Sequence, residues 1–469
     1  MEKSKLWRVF QSLDGTERKN LLQFAASPYH NTRTDIQLIF EYLRDCVELE
    51  KKPTKAEAHQ RAYGKDSPYH DVNLRLLLTY VYRLLLQFLQ QEIYRKESTE
   101  ASLYQLRAFR ERDLSKEHAS TSRTIEKMLD AAPLKNADWL HDHHQYETEL
   151  FHYQSQRQAT ANFNLQKISD RLDEYYIAQK LREVCSMLIH QKMSRPAIDL
   201  GLFSTVQNRI SEPRFQNIPA ISVYYTLYLL LTEPEEEHHF EQLRNLLKQS
   251  LGLFSDIEQR TLILVATDYC SRKYHQGKKD YAREAFDLYR RGLESKVLLS
   301  KNTLSRSIYN NAIAFALLSK EYDWVTDTLH RHRHRLPEQY RDAVYMFNLA
   351  RLRVETGEYD GALRAIRRVE YAKDSIHTLM ARTVELKIYY HLQESDLLQS
   401  HLDAMKAYLR RKSVVGYHGK NFRNIIKYSQ RLLKLNPNRK RDRNKLLQDI
   451  EAAEPLTEKK WLLARLASL

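Results

Sequence analysis

The segment HDHHQYETELFH, residues 141–152, carries residue types that bind metal ions. Imidazole nitrogens and carboxylate oxygens are ordinary ligands of zinc and related ions. On a helix, His143 and Glu147 lie one turn apart, as do Glu149 and His152. At about 100° per residue these two pairs point to nearly opposite faces and cannot share an ion. We therefore expect an exposed helix here, with no metal site.

A second histidine-rich segment, HRHRHR at residues 330–335, follows the helical pattern DWVTDTL. Pro337 comes shortly after it and suits the first turn of the next helix. Cations at a helix C-terminus interact favourably with the helix dipole, so we interpret the segment as a helix end. A pH response is the alternative, because three histidines cluster there.

No pattern in the chain predicts catalysis. The motifs GxxxxGK[ST], GxGxxG, GxSxG and HExxH are absent, and the chain has only 10 glycines with which to build a phosphate loop. Cys185 lies on an apolar helical face, where burial raises a thiol pKa and makes the thiol inert. Cys46 and Cys270 are scattered, as expected of reduced thiols in a cytoplasmic protein. We expect a protein without enzymatic activity and without a cofactor.

Positive charge is distributed unevenly. The formal net charge is +15, yet residues 404–446 hold fourteen Lys and Arg against one acid, Asp442. Within GKNFRNIIKYSQRLLKL, five cations recur at spacings of 3 or 4 and would share one narrow arc of a helix. These five are Lys420, Arg423, Lys427, Arg431 and Lys434. The opposite side is apolar and would pack inward; it carries Phe422, Ile425, Ile426 and Leu433.

A second basic cluster begins with Arg439, Lys440 and Arg441. Together the eight cations predict a surface that binds a partner or a polyanion, whether nucleic acid phosphate, an acidic protein or anionic lipid. Tyr417 and Tyr428 are the nearby aromatics that could stack on bases. The alternative is a solvated helix face that only keeps the protein soluble.

The elements that carry these residues are predicted to be helices. Gly and Pro number only 10 and 11 in 469 residues, which favours long helices with short connections. From Leu264 onwards, pairs of helices recur, and Tyr281, Tyr322 and Tyr359 follow equivalent turns at spacings of 41 and 37 residues. A period near 40 with two helices per unit indicates an α-solenoid of stacked hairpins.

The turn at residues 357–362 resembles the inter-helix turn of tetratricopeptide repeats, although the array is degenerate, with Val325 where Ala is expected. Small residues would allow close helix crossings at Ala312, Ala350 and Ala362. We predict an all-α protein in which a terminal helix buries Trp461, Leu462 and Leu466. Its predicted parts are an N-terminal helical module (1–98), connecting long helices (99–168), a tetratricopeptide-like solenoid (169–412) and a basic C-terminal helical cap (413–469).

The tetrapeptide SPYH, at residues 27–30 and 67–70, predicts two helix boundaries, since Pro ends a helix. Asn31 or Thr32 would cap the helix after the first copy.

The apolar run LLLTYVYRLLLQFL contains Arg83 and has only 14 residues, so we expect a buried helix and no membrane span. The N-terminal residues lack the apolar segment of a signal peptide, so we expect a cytoplasmic protein.

Several segments resemble a known family of large helical proteins from bacteria of the Bacteroidetes group. The resemblance covers nearly the whole chain and rests on FAASPYHN, DSPYHDVNLRLLLTYVYRLLLQFL, LDEYYIAQKLREVC, YNNAIAFALLSKEYDW, YMFNLARLRVETGEYDGAL and NFRNIIKYSQRLLKL. It implies a helical-repeat fold and no particular activity. By fold analogy we expect a non-catalytic scaffold or adaptor that binds a protein or peptide in a repeat groove. The alternative is polyanion binding, such as nucleic acid, through the basic C-terminal helix.

Overall fold

Helices make up the protein throughout. The computed structural model describes residues 1–96, 98–157, 162–194, 197–369, 375–412, 416–436 and 438–469. These residues form 24 α-helices, three short 3-10 turns and no β-strand. The predicted all-α class is therefore confirmed.

Contacts between helices divide the chain into two units, Met1–Met187 with Pro196–Ile221, and Leu188–Arg195 with Ser222–Leu469. Two helices, α9 and α12, contribute residues to both. The helices up to α12 are α1 (Lys5–Ser12), α2 (Gly15–Ala26), α3 (Thr34–Glu48), α4 (Lys55–Tyr63), α5 (Asp71–Lys96), α6 (Ser98–Glu111), α7 (Ser115–Ala131), α8 (Ala137–Ser155), α9 (Leu165–Ser194), α10 (Phe203–Ile210), α11 (Pro213–Gln216) and α12 (Pro219–Thr232).

The second unit continues through twelve more helices. They are α13 (Glu237–Ser250), α14 (Asp256–His275), α15 (Tyr281–Glu294), α16 (Arg306–Leu318), α17 (Tyr322–His332), α18 (Arg341–Glu355), α19 (Tyr359–Ile366), α20 (Ser375–His391), α21 (Ser395–Arg411), α22 (Gly416–Leu433), α23 (Lys440–Ala452) and α24 (Lys459–Ala467). The 3-10 turns are Leu251–Leu253, Arg333–Arg335 and Glu338–Tyr340. The predicted boundaries at 98, 168 and 412 remain predictions.

Helices α1 to α5 share one core, in which Phe10, Phe40 and Phe88 are fully or almost fully buried. Both SPYH copies lie at helix boundaries, as predicted: α2 ends at Ala26 and α5 begins at Asp71. The predicted cap of α3 is wrong. Asn31 donates instead to the carbonyls of Ala25 and Arg33, each at 2.9 Å, and therefore ties the end of α2 to the start of α3.

Helix α5 is less buried than the sequence predicts. One face, including Leu77 and Val81, packs in the N-terminal core, whereas the opposite face is exposed and includes Val72 and Leu76. It is the one described helix long and apolar enough to cross a membrane, a criterion that core helices of soluble proteins also meet. The expected buried helix is therefore buried along one face and exposed along the other.

From α14 to α22, each helix packs against the next one in the chain, and α18 also contacts α16 and α20. The three predicted equivalent tyrosines, Tyr281, Tyr322 and Tyr359, each begin the second helix of a pair. The three small residues predicted at close crossings, Ala312, Ala350 and Ala362, have no exposed surface.

The last five helices share a core to which α24 contributes Leu462 and Leu466, both buried as predicted. Trp461 is only partly buried; its ring makes an edge-to-face contact with Tyr390, and its indole nitrogen donates to His391 at 3.4 Å. Lys460 donates to the hydroxyl of Tyr274 in α14 at 2.8 Å. Helix α24 therefore closes the C-terminal core and also reaches α14.

Candidate polyanion-binding surface

Helix α22 has one apolar face and one cationic face. Phe422, Ile425 and Ile426 are buried in the C-terminal core, and Leu433 is partly buried against it. On the other side four cations are exposed: Lys420, Arg423 and Lys427 on the helix, and Lys434 directly after its last residue. The buried face fixes the rotation of the helix and so holds the four cations toward solvent.

Two asparagines hold the buried flank of α22 to the loop before α24. Asn421 accepts the Thr457 backbone N–H at 2.8 Å, and Asn424 donates to the Pro455 carbonyl at 3.0 Å. Reading of adenine needs a bidentate amide that faces a base edge. These two amides are engaged within the protein, so we expect the α22 surface to make no such contact.

Arg431 differs from the other four cations of α22. It is half-buried and pairs with Asp449 of α23 at 2.6 Å. The Arg431 guanidinium, with smaller contributions from Lys445 and Lys427, holds the pKa of Asp449 below its usual value. Cations of both helices therefore surround one carboxylate, and Arg431 is already paired within the protein.

The aromatic side chains on α22 do not offer the predicted stacking platform. Tyr428 is buried, and its ring contacts the charged ends of Lys427 and Arg431 with 5.1 and 5.9 Å to the ring centroid. A buried ring cannot stack on a base, so this part of the prediction is wrong for Tyr428. The side chain of Tyr417 lies outside the described part of the chain.

The second basic cluster lies at the start of α23. Arg439, Lys440 and Arg441 are all exposed. The nearest recorded carboxylate, that of Asp442, lies 3.8 Å from Arg439. Positive side chains in the first turn of a helix oppose its dipole, an arrangement that costs stability at low salt. These charges therefore do not stabilise the helix that carries them.

The histidine-rich segment of α8 is organised by ion pairs between helices. Glu147 is buried and pairs with Lys167 at 2.6 Å, and Glu149 pairs with Arg110 at 2.6 Å. Burial lowers the pKa of His143 to about 4. Within the described ranges, no three His, Cys, Asp or Glu side chains are grouped as metal ligands.

The HRHRHR segment ends α17, as predicted. Arg331 pairs with Asp327 at 2.9 Å, and Arg333 pairs with Asp342 at 2.8 Å. His332 is buried, and burial is the main cause that lowers its pKa to about 4. The segment thus connects α17 to α18 through paired charges.

The three thiols are buried, and burial raises the pKa of Cys46, Cys185 and Cys270.

An open cleft between α3 and α4 is lined by Tyr42, Cys46 and Glu57 among others. The Tyr42 hydroxyl donates to Glu57 at 2.7 Å, so that carboxylate already has a partner.

The contribution of Asp449 to the basic surface was missed in the sequence, because this acid lies in α23, beyond both groups of predicted cations. Comparison with protein-family models, curated proteins and solved structures finds no match to this chain.

Proposed function

We propose that the protein binds a polyanion, with nucleic acid phosphate as the main candidate, through a basic surface on α22 and α23. This basic surface comprises Lys420, Arg423, Lys427, Arg431, Lys434, Arg439, Lys440 and Arg441. The observation that carries the proposal is the exposure of four cations on the solvent face of α22, opposite the buried face that fixes the helix.

The chemistry of this surface suits a charged backbone better than a base sequence. Lys and Arg that neutralise phosphates release condensed counterions, and this release supplies most of the affinity of non-specific binding. Tyr428 is buried and the amides of Asn421 and Asn424 bond to the loop before α24. We therefore expect a strong dependence on salt and little preference for sequence.

The electrostatic cost of the surface also favours binding over a purely solubilising role. Asp442 is the one acid in the first turn of α23, which also carries Lys440 and Arg441. A face that only solubilises the protein gains nothing from cations placed against the helix dipole. A polyanion would neutralise this cluster and would be favoured by the positive end of the helix dipole.

Charge reversal with a matched control tests the proposal. The test variant carries Lys420→Glu, Arg423→Glu and Lys427→Glu. The control carries Lys116→Glu, Arg123→Glu and Lys127→Glu, which reverse three exposed cations of α7 and change the net charge equally. Anisotropy titrations use labelled single-stranded DNA, duplex DNA, RNA and heparin.

We expect the α22 variant to lose affinity by about tenfold or more at low salt, and the α7 variant to lose much less. Equal losses in the two variants would mean that net charge alone drives binding. Heparin binding without nucleic acid binding would keep the polyanion proposal and remove nucleic acid as the ligand.

A second candidate function is that of a non-catalytic, cytoplasmic scaffold for a protein or peptide. It is supported by the chain of helix pairs from α14 to α21, which we propose to be a degenerate tetratricopeptide-like solenoid. A buried hydrogen bond joins equivalent helices of two pairs, from Asn348 to Asn310 at 2.6 Å. Such arrays present extended faces to partner segments.

Cross-linking in the native cell, followed by mass spectrometry, tests the scaffold candidate. We expect cross-links from one recurrent partner to exposed lysines near α14 to α20, such as Lys279 and Lys320. Recovery of nucleic acid with no recurrent protein partner would contradict it.

A further inference from the structure

Helix α5 exposes a stripe with a regular spacing. Seven exposed residues follow one another at alternating intervals of 4 and 3: Val72, Leu76, Thr79, Arg83, Leu86, Gln90 and Ile93. The four aliphatic members expose 77%, 55%, 38% and 59% of their surface in that order. We call these seven residues the α5 stripe. The opposite face of the helix is buried in the N-terminal core.

The spacing indicates what kind of element the stripe fits. Intervals of 4 and 3 average 3.5 residues, the period at which one helix presents a continuous seam to another helix. Single exposed aliphatic residues are normal on protein surfaces, whereas the four here lie along one line of the helix, two toward each end. Three of the seven residues, Thr79, Arg83 and Gln90, are polar, so the stripe is not a purely apolar face.

Arg83 lies at the middle of the stripe and determines the charge of the occupant. No carboxylate among the described residues is recorded within 4.0 Å of Arg83, whose guanidinium carbon lies 5.9 Å from the Tyr80 ring centroid. A second copy docked along the whole stripe, parallel or antiparallel, would place Arg83 against Arg83. A bilayer would have to accept that charge at the centre of its contact, and the polar side chain of Gln90 nearer one end. An acidic side chain on another helix would pair with Arg83, and so would avoid both the repulsion between two arginines and the burial of an unpaired charge.

We propose that the α5 stripe docks an amphipathic α-helix of a partner protein that carries an acidic side chain opposite Arg83. The aliphatic residues at both ends of the stripe provide the apolar contact, and Arg83 sets register and partner choice. This inference goes beyond polyanion binding and stands without the basic surface, which lies in the other unit.

The test uses the full-length protein and two synthetic peptides as long as α5. Both have Leu at the seam positions and an otherwise identical sequence, but the central seam residue is Glu in one and Lys in the other. We expect the Glu peptide to bind wild type about tenfold more tightly than the Lys peptide. Arg83→Glu should reverse that order, because it exchanges the sign of the charge at the centre of the seam.

Two further variants distinguish binding at the α5 stripe from non-specific hydrophobic binding elsewhere on the protein. Leu86→Asp should abolish binding of both peptides. Ile257→Asp removes an aliphatic residue that is 80% exposed on α14 and should leave binding unchanged. Circular dichroism confirms that each variant keeps its helix content.

Three results would overturn the inference. The first is that wild type binds the two peptides equally or binds neither. The same conclusion would follow if the Arg83→Glu variant still bound the Glu peptide more tightly than the Lys peptide. The second is sedimentation with phosphatidylglycerol vesicles that Leu86→Asp abolishes, which would assign the stripe to a membrane surface. The third is a dimer, seen by sedimentation equilibrium, that Leu86→Asp dissociates; this would assign it to a second copy of the chain.

Discussion

Arg431 of α22 and Asp449 of α23 form an ion pair 2.6 Å long that joins the two helices of the basic surface. The hydrogen bond from Arg431 is the main cause that lowers the pKa of Asp449, and the positive charges of Lys445 and Lys427 lower it further. One carboxylate thus organises cations from two helices and neutralises part of their charge. A polyanion that binds there competes with Asp449 for the same side chains.

Removal of this carboxylate should strengthen polyanion binding. Asp449→Asn leaves the side chain's size almost unchanged and releases Arg431, so we expect tighter binding of DNA and heparin, by about threefold to tenfold at low salt. Asp268→Asn is the control, because Asp268 forms an ion pair with Arg272 at 3.3 Å on α14. Anisotropy titration should show a clearly smaller gain for the control. An unchanged or weaker affinity for Asp449→Asn would mean that Arg431 takes no part in binding.

The buried asparagine pair between α16 and α18 should contribute to stability. Asn348 donates to Asn310 at 2.6 Å and to the Val344 carbonyl at 2.9 Å, and it has no exposed surface. Asn348→Ala leaves buried partners unsatisfied, so we expect a loss of about 1–3 kcal/mol in the free energy of unfolding. Ser307→Ala, at an exposed position of α16, should change it by less than about 0.5 kcal/mol. Urea denaturation measures both; similar values would show that the pair adds nothing.

The terminal helix α24 should be required for the C-terminal core. Leu462 has no exposed surface, so Leu462→Ala should lower the free energy of unfolding by about 2–5 kcal/mol. Leu447→Ala, in α23, changes a leucine that is 38% exposed and should cost far less. Denaturation monitored by tryptophan fluorescence compares the two, since Trp461 lies on α24. A small loss for Leu462→Ala would mean that α24 detaches readily from this core.

Buried histidines should make stability fall in acid. The pKa of His332 is lowered mainly by burial, from about 6.5 to about 4 in the folded protein. The unfolded chain therefore takes up a proton as the pH falls below about 6.5, while the folded chain resists until about 4. The stability that neutral, buried His332 contributes is fully present above about pH 6.5 and is lost as the pH falls from about 6.5 to about 4.

A variant isolates this contribution. His332→Asn carries no titrating group, so between about pH 7.5 and about pH 5 it should lose about 1–2 kcal/mol less stability than wild type. Other histidines whose pKa burial lowers, such as His143 and His401, should leave the variant with a residual loss. Identical slopes for variant and wild type, from urea denaturation across pH, would show that His332 titrates normally in the fold.

The helical class and the two-sided character of α22 were predictable because they depend on local period. Phe422 and Lys427 fall on opposite sides of any regular helix, whatever it packs against. Tyr428 lies about 100° from Lys427, at the edge of the cationic arc, where burial depends on the neighbouring helix. A sequence pattern does not contain that information, and the expected exposure of Tyr428 was therefore wrong.

The contacts that each helix makes with its neighbours could not be predicted from the sequence. The pair of Arg431 and Asp449 depends on how α23 turns back on α22, which no spacing reports. Helix α5 shows a related limit: both of its faces carry aliphatic residues, as Leu77 and Leu76 illustrate. Hydropathy therefore could not distinguish the face covered by the N-terminal core from the exposed one.

The salt dependence of DNA affinity distinguishes phosphate binding at the basic surface from a surface that is only solvated. Each phosphate contact on duplex DNA contributes about −0.9 to the slope of log affinity against log salt concentration. Lys427→Gln should make the slope shallower by about 0.9, while Lys127→Gln, an exposed lysine of α7, should leave it unchanged. We expect a steep wild-type slope that changes only with Lys427→Gln. A shallow slope, or the same slope in all three proteins, would contradict polyanion binding at the basic surface.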